Sequence, residues 1–203
     1  MVSIPQDSWY YRDNGFASCE AMDQAHSLLL DRIANIPEEE LKRVIDFGCG
    51  NGVLLKKIVD RWQGCIPYGL DVSAFRIIRA QLIHPLYFQN FEIKSMFDPV
   101  GRWLKTTRQF SLGIFMIGRL LEVPQRQRKQ FMDRVMRRCK HVLVYFYGGW
   151  VQDQVNLLDL AERCGFCLGD IHRNGTAAFL HSVDQRLIIT NRPGKSINKS
   201  LVC

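Results

Sequence analysis

RVIDFGCGNGVLL, Arg43 to Leu55, is the stretch on which the interpretation of the whole chain depends. Apolar Val44 and Ile45 lead to an acid, three glycines alternate with other residues, and apolar helix formers then resume. That is the pattern of a strand turning sharply into a helix around something bulky and polar. Gly48, Gly50 and Gly52 allow main-chain torsions denied to larger residues and a close approach to a ligand. The helix after Gly52 is expected to aim its first amides into that space, favouring a negative or hydrogen-bond-accepting group. Further on, Asp71 closes a second apolar run, where a carboxylate can accept both hydroxyls of a ribose. Together the two features point to a cofactor that contains a nucleoside.

Outward from this turn, helical and extended patterns alternate. Upstream, ASCEAMDQAHSLLLDRIANI has helical spacing, with Ala21, Ala25, Leu28, Leu29 and Ile33 expected on one face. Downstream come a helix in LLKKIVDRW, a strand in CIPYGLDV, a helix in AFRIIRAQLI and a short strand in NFEIKSM. QFSLGIFMI is a nearly continuous apolar run, as a strand covered on both faces must be. A basic helix follows, then the strand HVLVYFY and the helix DQVNLLDLAERC. FCLGDIHR and TAAFLHSVDQRLIITN read as two closing strands. This alternation predicts an α/β fold, a doubly wound and mostly parallel sheet with an antiparallel edge. In such sheets a ligand binds at the carboxyl end of the strands, and the quoted turn lies there.

The chain has 203 residues, 47% of them hydrophobic, which suits one core. Residues 1–190 are expected to form a single domain with a helical cap over about 1–40, and 191–203 a mobile tail. No apolar run is long enough to cross a bilayer, so a cytoplasmic protein without a membrane partner is expected. The seven scattered cysteines suit buried thiols in a reducing compartment. Cys164 and Cys167 form an isolated C-x-x-C, read as a helix end and strand start, and no metal is expected. The formal charge of +7 is concentrated in PQRQRKQFMDRVMRRCK, Pro124 to Lys140. Phe131, Met132, Val135, Met136 and Cys139 form its apolar face, and the basic remainder is either solvated or in contact with phosphates.

Dinucleotide folds space their glycines G-x-G-x-x-G, whereas this chain has G-x-G-x-G behind Asp46. With Asp71, the loop KSMFD and the strand FSLGIFMI leading to GRLLEV, it resembles the class I S-adenosylmethionine-dependent methyltransferases from about residue 43 to 190. The resemblance implies a seven-stranded sheet whose last strand is reversed. It implies that Asp46, Gly48, Cys49, Gly50 and Gly52 cradle the methionine part of S-adenosyl-L-methionine and that Asp71 holds the ribose. Val72, Met96 and Phe97 would lie about the adenine, and Phe115 and Ile117 would pass beneath the sulfonium. Ser95 stands where an aspartate is frequent in the family.

Methyl transfer needs an acceptor atom held in line behind the sulfonium, and a base only where the acceptor carries a proton to be removed. His26 is the first candidate base, with Glu122 and Tyr11 behind it. Trp9, Tyr10, Tyr11 and Phe16, with Tyr145, Phe146, Tyr147 and Trp150, could wall a pocket for a planar or cationic acceptor, and Arg119 could bind a carboxylate. Where methyltransferases of exocyclic base amines carry an Asn/Asp-Pro-Pro-aromatic motif this chain has MIGR, which disfavours that chemistry. The leading expectation is transfer to an O, N or C atom of a small molecule by a monomer or homodimer, with S-adenosyl-L-homocysteine as product. Methylation of RNA or protein, and cofactor binding without turnover, stay open.

Overall fold

Five of the runs become parallel strands: four are hydrogen-bonded on both edges, as near-continuous apolar runs are, and the shortest, in NFEIKSM, lies at the edge of the sheet. The computed structural model describes residues 9–98, 101–105, 109–145, 167–171 and 177–181. The strands are β1 (Arg43–Phe47), β2 (Ile66–Asp71), β3 (Phe91–Ile93), β4 (Phe110–Met116), β5 (Cys139–Tyr145), β6 (Cys167–Ile171) and β7 (Ala177–His181). Their order is β3-β2-β1-β4-β5-β7-β6. Strands β1 to β5 are mutually parallel, while β7 pairs antiparallel with both β5 and β6. The order reverses between β1 and β4, which opens a crevice above the carboxyl end of β1.

The helices are α1 (Trp9–Arg12), α2 (Cys19–Ile33), α3 (Val53–Arg61), α4 (Ala74–Ile83), α5 (Arg102–Lys105) and α6 (Gln125–Arg138). One face of the sheet is covered by α2, α3 and α4, through Leu29, Ile33, Leu55, Ile58, Ile77 and Ala80 against Val44, Leu112 and Leu143. The other is covered by α5 and α6, where Phe131 meets Phe47, Phe97 and Phe115 edge-on at 5.2, 5.5 and 5.3 Å. A third, small cluster of Tyr10, Met22 and Val53 holds the N-terminal segment down.

The inward stripe of α2 is Met22, His26, Leu29 and Ile33, not the expected stripe through Ala21, Ala25 and Leu28. The helix is rotated by about one residue because Met22 fills the space beneath Tyr10. Ser18 caps it by accepting from the Ala21 amide. The basic helix ends at Arg138, and Cys139, assigned from sequence to its apolar face, instead begins β5. Its thiol lies under Gly113, where an added methyl would meet the sulfur at 2.7 Å. The helix expected in DQVNLLDLAERC and the tail 191–203 lie outside the described residues.

Candidate functional site

A cavity of about 240 Å³ runs along the carboxyl ends of the strands from β3 to β5. Its floor is the turn between β1 and α3. Gly48, Gly50 and Gly52 there have φ of 95°, 56° and 78°, a region in which any side chain is strained. Gly48 faces open space, whereas Gly52 caps α3 with its α-carbon against Ala80 and does not line the cavity. His84 lies behind it, its Nε2 3.0 Å from the Gly52 carbonyl and its ring stacked on Phe91.

The amides of the turn itself, which precede the first amides of α3, are engaged within the protein. Gly48 and Cys49 both donate to the Leu70 carbonyl, at 2.8 and 2.9 Å, and Gly52 donates to the Cys49 carbonyl at 3.0 Å. Gly50 donates to Asp71 Oδ2 at 3.0 Å, and Asn51 donates to Asn14 Oδ1 at 3.2 Å. All five donors are spent inside the protein. What the floor offers is two carboxyl groups, those of Asp46 and Asp71. Asp46, at the end of β1, is buried with Oδ1 lacking any hydrogen-bond partner. Burial, and after it the charge of Asp71, push its pKa up to about 8, so it holds a proton at neutral pH. Asp71 closes β2, and its Oδ1 accepts from the Ser73 amide at 2.8 Å, which fixes the plane of the carboxylate. Arg76 stands 4.0 Å from Asp71 Oδ2.

Around this floor the structure brings together Val72, Ser95, Met96 and Phe97 from the ends of β2 and β3. Ser95 Oγ accepts from the Phe97 amide at 3.2 Å, and Lys94 pairs with Asp98 at 3.1 Å. At the other end lie Met116, Arg119, Glu122 and Tyr145. Arg119 and Glu122 are bound to each other at 2.7 Å, both half exposed. From the N-terminal side come Asn14, Phe16 and His26. His26 is buried with its Nδ1 3.1 Å from Lys57 Nζ, which donates to it. Burial, then the Lys57 charge, push its pKa down to about 3. At neutral pH His26 is an uncharged ring with its remaining proton on Nε2, a group that donates a hydrogen bond and is a poor proton acceptor.

Several expected positions fall elsewhere. Phe115 is fully buried against Phe131, because strand alternation turns it to the α6 face and leaves Met116 toward the cavity. Ile117 begins a short 3-10 turn and is likewise sealed in the core. Trp9 stacks on Arg79, Tyr10 is buried over Val53, and Tyr11 lies beside Arg12; none of the three lines the cavity. Of the four N-terminal aromatics, Phe16, five to seven residues on, is the one that lines the cavity. Phe146, Tyr147 and Trp150 lie outside the described residues. Asn14, Asn51, Arg76 and Lys94 were not singled out from sequence. Asn51, inside the glycine turn and wholly buried, was the readable signal among them.

No protein-family model matches the sequence, and no curated protein is similar to it. In three dimensions the chain is similar to magnesium protoporphyrin IX methyltransferase (ChlM) from Synechocystis PCC 6803 with bound SAM. The identity is 15% and the TM-score 0.50, over 88% of this chain and 85% of that one. It is also similar to TnmH, at 16% identity and a TM-score of 0.50 over 77% of this chain and 54% of that chain. DesVI of Streptomyces venezuelae matches at 18% identity and a TM-score of 0.49, over 67% and 53% of the two chains. The chain therefore spans about half the length of TnmH and of DesVI. Its fold is that of the class I S-adenosylmethionine-dependent methyltransferases.

Proposed function

We propose that the chain binds S-adenosyl-L-methionine and transfers its methyl group to an O, N or C atom of a small molecule. One observation carries this reading: every amide from Gly48 to Gly52 is already engaged, while the buried Asp46 Oδ1 beside them has no partner. Such a floor repels a pyrophosphate and suits a ligand that brings its own donors and positive charge. S-adenosylmethionine has both, an ammonium and a sulfonium together with two ribose hydroxyls. In this reading Asp46 takes the ammonium, giving up its proton as it does so. Asp71, braced by Gly50 and Ser73, accepts from the ribose. Val72, Met96 and Phe97 enclose the adenine, and the open α-carbon of Gly48 lets the methionine chain lie on the backbone. The antiparallel β7 beside β5 agrees with the seven-stranded sheet that the resemblance implies.

When bound, the cofactor supplies an activated methyl group. The chain's own residues position the acceptor and exclude water. Phe16, Met116 and Tyr145 form an apolar wall at the β4 and β5 end of the cavity. His26, neutral and donating, orients an acceptor oxygen or nitrogen there, and Glu122 is the group left to receive a proton where the acceptor releases one. Arg119, paired with Glu122, holds that carboxylate at the mouth. The small-molecule substrate named for ChlM supports the choice of acceptor class. Incubation with methyl-labelled S-adenosylmethionine and a metabolite extract tests it: label is expected in a low-mass product, and label confined to macromolecules overturns it.

A second reading, methylation of RNA or protein, draws on α6. Its outer face carries exposed Arg126, Lys129 and Arg137, although Lys129 is paired with Asp133. Its nucleic-acid form predicts polyanion binding that weakens steeply with added salt.

A further inference from the structure

The N-terminal segment is held across the site by a residue that does not touch the cavity. Arg79, on α4, is gripped between two rings, its guanidinium carbon 4.3 Å from the Trp9 centroid and 3.9 Å from that of Phe75. The same guanidinium is ion-paired with Asp13, and both side chains are about four-fifths buried. One residue further on, Asn14 reaches the glycine turn: its Nδ2 donates to Asn51 Oδ1 at 2.6 Å, and its Oδ1 accepts from the Asn51 amide. Asn51 Nδ2 in turn donates to the Tyr10 carbonyl at 2.9 Å. Residues 9–16 are thus tied at one side to α4, which follows the end of β2, and at the other to the turn after β1. Asn14 and Phe16, which this tether sets in place, line the cavity.

We propose that residues 9–16 form a strap across the cavity and that Arg79 is its latch, so that ligand entry and exit require Asp13 and Trp9 to let go of Arg79. Arg79 is on this account a positioning residue: it acts through Asn14 and Phe16. A latch slows entry and exit together, so loosening it raises both rate constants while the equilibrium affinity changes little. Loss of a merely structural contact lowers affinity or folding stability without accelerating association. The inference about exchange rests on the cofactor reading above; the inference about the strap does not.

Two readouts on Arg79→Gln and Arg79→Lys separate these. The first is the rate of tryptic cleavage after Arg12, the earliest basic residue in the chain, in ligand-free protein, followed by intact mass. The second is stopped-flow association and dissociation of S-adenosylhomocysteine. Arg79→Gln is expected to speed cleavage and both rate constants by about tenfold, as loss of a partly buried ion pair with cation–π contacts implies. Arg79→Lys, which keeps the charge but not the planar stacking, is expected between that and wild type. Cleavage at the wild-type rate in Arg79→Gln overturns the latch, as does slower association with weakened affinity. Failure of wild type to bind S-adenosylhomocysteine overturns the cofactor reading instead, and the cleavage rates then decide the strap alone.

Discussion

The Asn14 side chain lies directly on the α-carbon of Gly50: a methyl group added there would sit 2.1 Å from Asn14 Oδ1. The position is therefore closed to side chains twice over, by this contact and by a φ of 56°. Gly50→Ala should destabilise the fold by about 1–2 kcal/mol from the torsion alone, and further by expelling Asn14 from its pairing with Asn51. Adding Asn14→Gly relieves the collision but not the torsion. The double variant should accordingly be less destabilised than the sum of the two single changes, as measured by denaturant unfolding. Strict additivity would show that the contact is not made.

Asp46 predicts an unusual pH dependence. Its carboxyl titrates at about 8 when folded against an ordinary 3.8, so the folded chain holds a proton that the unfolded chain has lost. The resulting stabilisation is complete below about pH 3.8 and disappears as pH rises toward 8. Asp46→Asn, which mimics the protonated acid, should match wild type near pH 4 and exceed it in thermal stability at pH 8. An equal difference at both pH values would contradict the burial argument.

His26 has the opposite sign. With the folded value pushed down to about 3 from 6.5, the unfolded chain takes up a proton that the folded one refuses. Stability that is present above pH 6.5 should be lost as pH falls from there toward 3. Proton NMR of the His26 ring should show no titration between pH 5 and 8, and a midpoint near 6.5 would restore it as a candidate base.

The ion pair of Arg119 and Glu122 is half exposed and should add under about 1 kcal/mol to stability. Arg119→Ala and Glu122→Gln are expected to fold as wild type in thermal unfolding while reducing turnover with a native acceptor. A large loss of stability in either would mark the pair as structural.

Much of the sheet was legible in the sequence because strands covered on both faces leave an unbroken apolar signature, as in FSLGIFM, and because RVIDFGCGNG encodes its own turn. What was not legible depended on packing between distant segments. Nothing local says that Met22 rather than Ala21 faces inward, since that choice is made by Tyr10 and Val53. The resemblance placed Phe115 and Ile117 beneath the sulfonium, but the parity of β4 gives the cavity-facing position to Met116. The glycine spacing announced a ligand, yet the partners of its amides, Leu70, Asp71 and Asn14, lie about 20 to 37 residues away. For that reason nothing in the sequence showed that the turn's own amides are spent, the feature on which the proposed cation seat at Asp46 rests.

Calorimetric titration of the wild-type chain with S-adenosylmethionine near pH 7, run in two buffers of different ionisation enthalpy with NADH as comparison, tests this cation seat most directly. The expected result is saturable uptake of S-adenosylmethionine accompanied by proton release, abolished in Asp46→Asn, with no uptake of NADH. Binding of NADH in preference, or S-adenosylmethionine binding without proton release and undiminished in Asp46→Asn, would contradict it.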